Sequence, residues 1–154
     1  MIKMKNLFLA LLFTPTMIYS QSQKLNGIDL NGPKGFVKTG NLTWEKGNNI
    51  ISVQSFEGKF TAKEFEEICS KGSRTTKYLS LETQEISGTE YQICLQYGDN
   101  GMLIGQVPIY RNRNTYIVTV GSYTLDYEES KQVEESMYQV FYMIGYMTSR
   151  VTMF

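Results

Sequence analysis

Over residues 89–97 the chain alternates between Tyr91, Ile93, Leu95 and Tyr97 on one side and Glu90, Gln92, Cys94 and Gln96 on the other. That is the period-two pattern of a strand. Further strands are predicted at 78–86, 102–110 and 115–120, joined through Ser87-Gly88, Gly98-Asp99-Asn100-Gly101 and Arg111-Asn112-Arg113-Asn114. Connections this short force antiparallel neighbours, so the centre of the chain reads as a four-strand meander. Upstream, residues 25–30 and 35–38 are short apolar pieces broken by Asn31-Gly32-Pro33, a strand, a turn and a second strand. Residues 41–45 and 50–56 flank Lys46-Gly47-Asn48-Asn49, the signal of a hairpin.

Two segments switch to helical spacing. Thr61 followed by Glu64 is a capping box, predicting a helix to about Ser70 that Gly72 ends, with Ala62, Phe65 and Cys69 on its inner stripe. Asp126 with Glu129 opens a longer helix through about Met147, whose inner stripe is Val133, Met137, Val140, Phe141 and Ile144. The fold class is therefore α+β, an antiparallel sheet with helices packed on it.

The first 22 residues fit neither pattern. Lys3 and Lys5, an apolar run over 7–13, and Ser20-Gln21-Ser22 have the order of a secretory signal peptide: basic, apolar, small. A spanning helix needs about 20 apolar residues, and this run is broken early by Thr14-Pro15-Thr16, so cleavage is expected rather than anchoring. The cut falls after Ser20 or after Ser22, and no nearby cysteine offers a lipid attachment point. The expected organisation is a signal peptide at 1–22 and one globular domain at 23–154, exported to the periplasm or beyond the cell.

Composition narrows the function classes. Fifteen basic residues against fifteen acidic become thirteen against fifteen once Lys3 and Lys5 are removed, a formal charge of −2. That gives no electrostatic case for nucleic acid or an anionic membrane. The chain contains no histidine, which removes the usual general base, the Ser-His and Cys-His nucleophile pairs and the commonest metal ligand. Its aspartates lie in no calcium-loop pattern. Lys38-Thr39-Gly40 matches one element of penicillin-binding proteins without the accompanying S-x-x-K, and reads as a strand end. Asn41-Leu42-Thr43 is a glycosylation sequon only in a eukaryotic secretory route. Paired carboxylates alone can serve a glycosidase, but Glu64, Glu66, Glu67, Glu128, Glu129, Glu134 and Glu135 fall on helix faces expected to be solvated. No cofactor or metal is expected, and the chain is read as a non-enzyme.

Cys69 and Cys94 are the only cysteines, a disulfide candidate in an oxidising compartment. If the first helix covers the sheet face of Glu90, Gln92, Cys94 and Gln96, the bond is in reach. Otherwise both are small buried thiols.

The order strands, helix, meander, long terminal helix resembles the PsbP/Mog1-like superfamily, which includes exported bacterial DcrB-like domains. The residues carrying the resemblance are Ile28-Asp29-Leu30, then Pro33-Lys34-Gly35-Phe36, with Trp44, Ile86-Ser87-Gly88 and Tyr116-Ile117-Val118 fitting the same plan. The resemblance implies a central antiparallel sheet flanked by helices, used as a non-catalytic accessory or binding module. It carries no shared catalytic set onto these residues.

Two surfaces are candidate contact sites. Residues 137–147 are apolar nearly all round, so Met137, Tyr138, Phe141, Tyr142 and Tyr146 are either core, covered on the outer side by residues 148–154, or a partner surface. The hairpin tip offers Arg111 and Arg113 to a carboxylate or phosphate, or simply to solvent. The expected function is binding of another exported or envelope protein, or of a small ligand. The alternatives are an immunity or inhibitor protein against an exported toxin or enzyme, a carboxylate-based hydrolase, and a self-associating envelope component.

Overall fold

The computed structural model describes residues 30–123 and 130–152, the side chains of 130–133 excepted. The expected signal peptide, most of the expected opening strand, the Asp126–Glu129 cap and the side chain of Val133 lie outside the described residues. Among the described residues seven strands are present: β1 (Val37–Gly40), β2 (Thr43–Lys46), β3 (Asn49–Glu57), β4 (Thr76–Ile86), β5 (Thr89–Gly98), β6 (Met102–Arg111) and β7 (Asn114–Tyr123). Two helices among the described residues accompany them, α1 (Ala62–Lys71) between β3 and β4 and α2 (Ser130–Val151) after β7. The strands form one antiparallel sheet in the order β1-β2-β3-β7-β6-β5-β4.

Each hairpin follows from its turn residues. Ser87-Gly88 and Asn112-Arg113 carry positive φ at both central positions, at 52° and 79° and at 51° and 66°, the type I′ geometry that matches strand twist. The predicted meander, β4 to β7, is present. The sequence pattern did not disclose how it joins the rest: β7 pairs with β3 along its whole length, from Asn49 opposite Ser122 to Glu57 opposite Asn114. That pairing places β7 at the sheet centre. Pairing registers are regular in the five inner strands, and shift only between Lys38 and Gly40 in the β1–β2 pair and between Tyr78 and Ser80 in the β4–β5 pair.

The main core lies between one sheet face and α2. Ile51, Val53, Leu95, Leu103, Val107 and Val118 meet Val140, Met143, Ile144, Met147 and Val151, all buried. Gly105 lets the helix sit close, since a Cβ there would lie 2.7 Å from Val140 Cγ1 and 2.8 Å from Ile144 Cδ1. The helix departs from expectation at its end. It runs through Val151, so residues 148–151 do not fold back over an outer face. No Gly or Pro interrupts Thr148-Ser149-Arg150-Val151, and positions 140, 144, 147 and 151 continue a single stripe of helical period.

The α1 helix covers the opposite face over β4 and β5. Its capping box is complete: Thr61 Oγ1 accepts from the Glu64 N–H at 3.1 Å, while Glu64 Oε2 accepts from the Thr61 N–H at 2.7 Å. The Thr61 N–H and the Thr61 hydroxyl, which donates to the same Oε2 at 2.9 Å, hold the Glu64 carboxyl below its ordinary 4.5, so the cap supports α1 above that value and weakens as pH falls through the lowered one. At the other end the Cys69 carbonyl accepts from both the Gly72 N–H, 3.2 Å, and the buried Gln96 amide, 3.1 Å. Cys69 and Cys94 are joined by a disulfide with Cα atoms 5.8 Å apart, and both pack with Phe65 and Leu81.

Candidate functional site

Two turns and one helix face converge beside the top of the sheet. Lys46 and Asn49 are paired across the β2–β3 hairpin, leaving Gly47-Asn48 as a two-residue loop, with φ of +55° at Gly47. Positive φ at the first central position alone is the type II′ pattern. The Asn48 carbonyl then accepts from the Tyr123 N–H at 2.9 Å, extending the β3–β7 ladder past its last rung, Asn49 opposite Ser122.

The second turn is Pro33-Lys34-Gly35-Phe36, closed by the Phe36 N–H donating to the Pro33 carbonyl at 3.0 Å, with φ of +86° at Gly35. That is the arrangement of a type II turn, which needs glycine at its third position. The Lys46 side chain runs over Gly35, where a Cβ would lie 3.1 Å from Lys46 Nζ.

Between these turns and the first half of α2 lies a cleft of about 520 Å³. Lys34, Phe36, Lys46, Asn48 and Asn49 line it from the turns, Ser122 and Tyr123 from the end of β7, and Glu135, Ser136, Gln139 and Tyr142 from α2. Asn49 Nδ2 donates to Gln139 Oε1 at 3.5 Å, tying hairpin to helix. The lining combines two ammonium groups, one carboxylate, three primary amides, two serine hydroxyls and three aromatic rings. Such a set binds and orients by hydrogen bonding and ring contact. Among the described residues no three His, Cys, Asp or Glu side chains cluster as metal ligands.

The side chains singled out from sequence are spread over different environments. Met137, Phe141 and Tyr146 are half-buried and pack against the main core. Tyr146 donates its hydroxyl to the Gly32 carbonyl at 3.3 Å, and the Arg150 guanidinium lies 5.2 Å from its ring centroid. Tyr138 is 68% exposed and Tyr142 49% exposed, one turn apart. Of these, Tyr142 alone lines the cleft.

The two arginines separate. Arg113 is exposed in the β6–β7 turn, where its carbonyl accepts from the Gly58 N–H at 2.9 Å. Arg111 instead turns inward and donates through Nη1 to the Thr152 carbonyl just past α2, while its buried Nε has no partner. A guanidinium at a helix C-terminus satisfies a free carbonyl and opposes the helix dipole. Replacing it, Arg111→Ala, is expected to lower unfolding free energy by about 2 kcal/mol, read as an earlier urea midpoint at unchanged slope. An unchanged midpoint would show that the contact contributes nothing to stability.

The cleft was not visible in the sequence, because Lys34, Lys46, Ser122 and Glu135 lie far apart along it. The only local signal was two polar turns with glycine at defined positions, Pro33-Lys34-Gly35 and Lys46-Gly47-Asn48. Arg111 had a clearer one: it is in phase with Leu103, Val107 and Ile109, on the inward face of β6.

No protein-family model matches the chain, and no curated protein matches it at a significant level.

Proposed function

We propose that the protein is an exported, non-catalytic binding module whose ligand sits in the cleft between the β2–β3 turn and α2. The observation that carries the reading is the composition of that cleft: among the described residues, amides, hydroxyls, ammonium groups and rings gather there with the Glu135 carboxylate. Donors, acceptors and rings of this kind hold and orient a ligand. Export rests on the basic, apolar and small-residue order of residues 3–22. The antiparallel sheet with α1 on one face and α2 on the other is also the plan implied by the resemblance to PsbP/Mog1-like accessory domains. No helix among the described residues is long and apolar enough to cross a membrane.

The test is an amide NMR titration of the purified protein with a low-molecular-weight extract of its host's medium and envelope. Saturable shifts of Gly47, Asn48, Asn49 and Ser122 are expected. Shifts confined elsewhere, or none, would overturn the cleft as the binding site. A second reading, an immunity or inhibitor protein, draws on Tyr138 and Tyr142, exposed rings one turn apart on α2. It requires a stable complex with an exported toxin that Tyr138→Glu disrupts.

A further inference from the structure

We infer that the cleft takes an acidic saccharide, a sugar ring carrying one carboxylate; this rests on the binding reading above and specifies its ligand. Charge sets the first constraint. Among the described lining residues, Lys34 and Lys46 against Glu135 leave one net positive charge. A singly charged carboxylate balances it through charge-assisted hydrogen bonds to ammonium. A phosphate monoester carries about −1.5 to −2 at neutral pH, and would leave negative charge uncompensated beside Glu135.

Hydrogen-bonding capacity sets the second constraint. Asn48, Asn49 and Gln139 each present both a donor and an acceptor, which matches adjacent ring hydroxyls that also do both. Ser122 and Ser136 add two hydroxyls to the same lining, each able to donate and to accept. The third constraint is apolar. Phe36, Tyr123 and Tyr142 border the same space, and the negative faces of such rings suit the C–H face of a pyranose. A volume of about 520 Å³ falls in the range of small-ligand sites.

The probes are sodium glucuronate, glucose, benzoate and inorganic phosphate, each titrated into the full gene product as purified and followed by amide NMR. Glucuronate is expected to shift Gly47, Asn48, Asn49 and Ser122 saturably, with glucose binding roughly tenfold or more weakly. The variant Lys34→Gln/Lys46→Gln changes only exposed side chains and should weaken glucuronate by roughly tenfold or more at unchanged melting temperature. The variant Tyr142→Ala should weaken glucuronate and glucose alike. Glucose binding as well as glucuronate would overturn the acidic requirement. Benzoate or phosphate binding in the cleft as tightly as glucuronate would overturn the saccharide class while leaving a binding cleft. Cleft shifts with the host extract but none with glucuronate would likewise sink only this inference. Silence of the cleft amides toward both extract and probes would sink the binding reading with it.

Discussion

The double replacement Cys69→Ala/Cys94→Ala is expected to lower unfolding free energy by about 3–4 kcal/mol, the loop entropy of a crosslink closing 25 positions. Alanine is the better replacement than serine because both positions are fully buried, where an added hydroxyl would lack a partner. The crosslink does more than shorten the unfolded chain. It joins the last turn of α1 to β5 beside the hydrogen bond from Gln96 to the Cys69 carbonyl, so its loss leaves that helix held by Phe65, Leu81 and one amide. Urea unfolding with and without a thiol reductant provides the measurement. The wild type should lose the same increment on reduction, and the double variant should be indifferent to it. A loss under about 1 kcal/mol would mean that α1 is seated by packing alone, with the crosslink constraining little in the unfolded chain.

The second large effect concerns the seat of α2. Gly105→Val is expected to cost about 3 kcal/mol, and Gly105→Ala about 1 kcal/mol, the upper and lower ends of overpacking in a filled core. A Cβ at 105 would meet Val140 Cγ1 at 2.7 Å, and valine has no flexible end with which to retreat; Ile144 Cδ1, at 2.8 Å, can rotate away more cheaply. The helix must therefore lift, and every contact from Val140 to Val151 loosens with it. A compensating variant tests the cause. Val140→Ala removes the obstructing methyls, so the combination Gly105→Ala/Val140→Ala should cost less than the sum of its parts. Strict additivity would show that Gly105 is present for a backbone reason and not to admit the helix.

What the sequence disclosed and what it hid divide along range of interaction. The α1 helix was legible to within a residue because its signals are local: Thr61 and Glu64 three apart, Gly72 at the end. Turns were legible for the same reason, since a residue such as Gly88 adopts its positive φ without reference to the rest of the chain. The α2 terminus was missed by four residues, because polar Thr148, Ser149 and Arg150 resemble an exit although Thr148 is as buried as its apolar neighbours. The cleft was hidden altogether. It exists because β3 pairs with β7 in one register and α2 returns over the sheet at one height, and neither fact leaves a mark in any short window of sequence. Arg111 was readable but misread, its charge outweighing a strand phase that already directed it inward.

The two register shifts fall in β1 and β4, the outermost strands among the described residues. An unpaired row of backbone donors and acceptors is a template on which a second sheet can grow, and a bulge bends that row out of line. With β4 eleven residues long and Tyr78 and Leu79 exposed at its irregularity, a straight edge would invite copies of the chain to zip together into fibrils. The bulges in both outer strands bend that template and so oppose edge-to-edge growth.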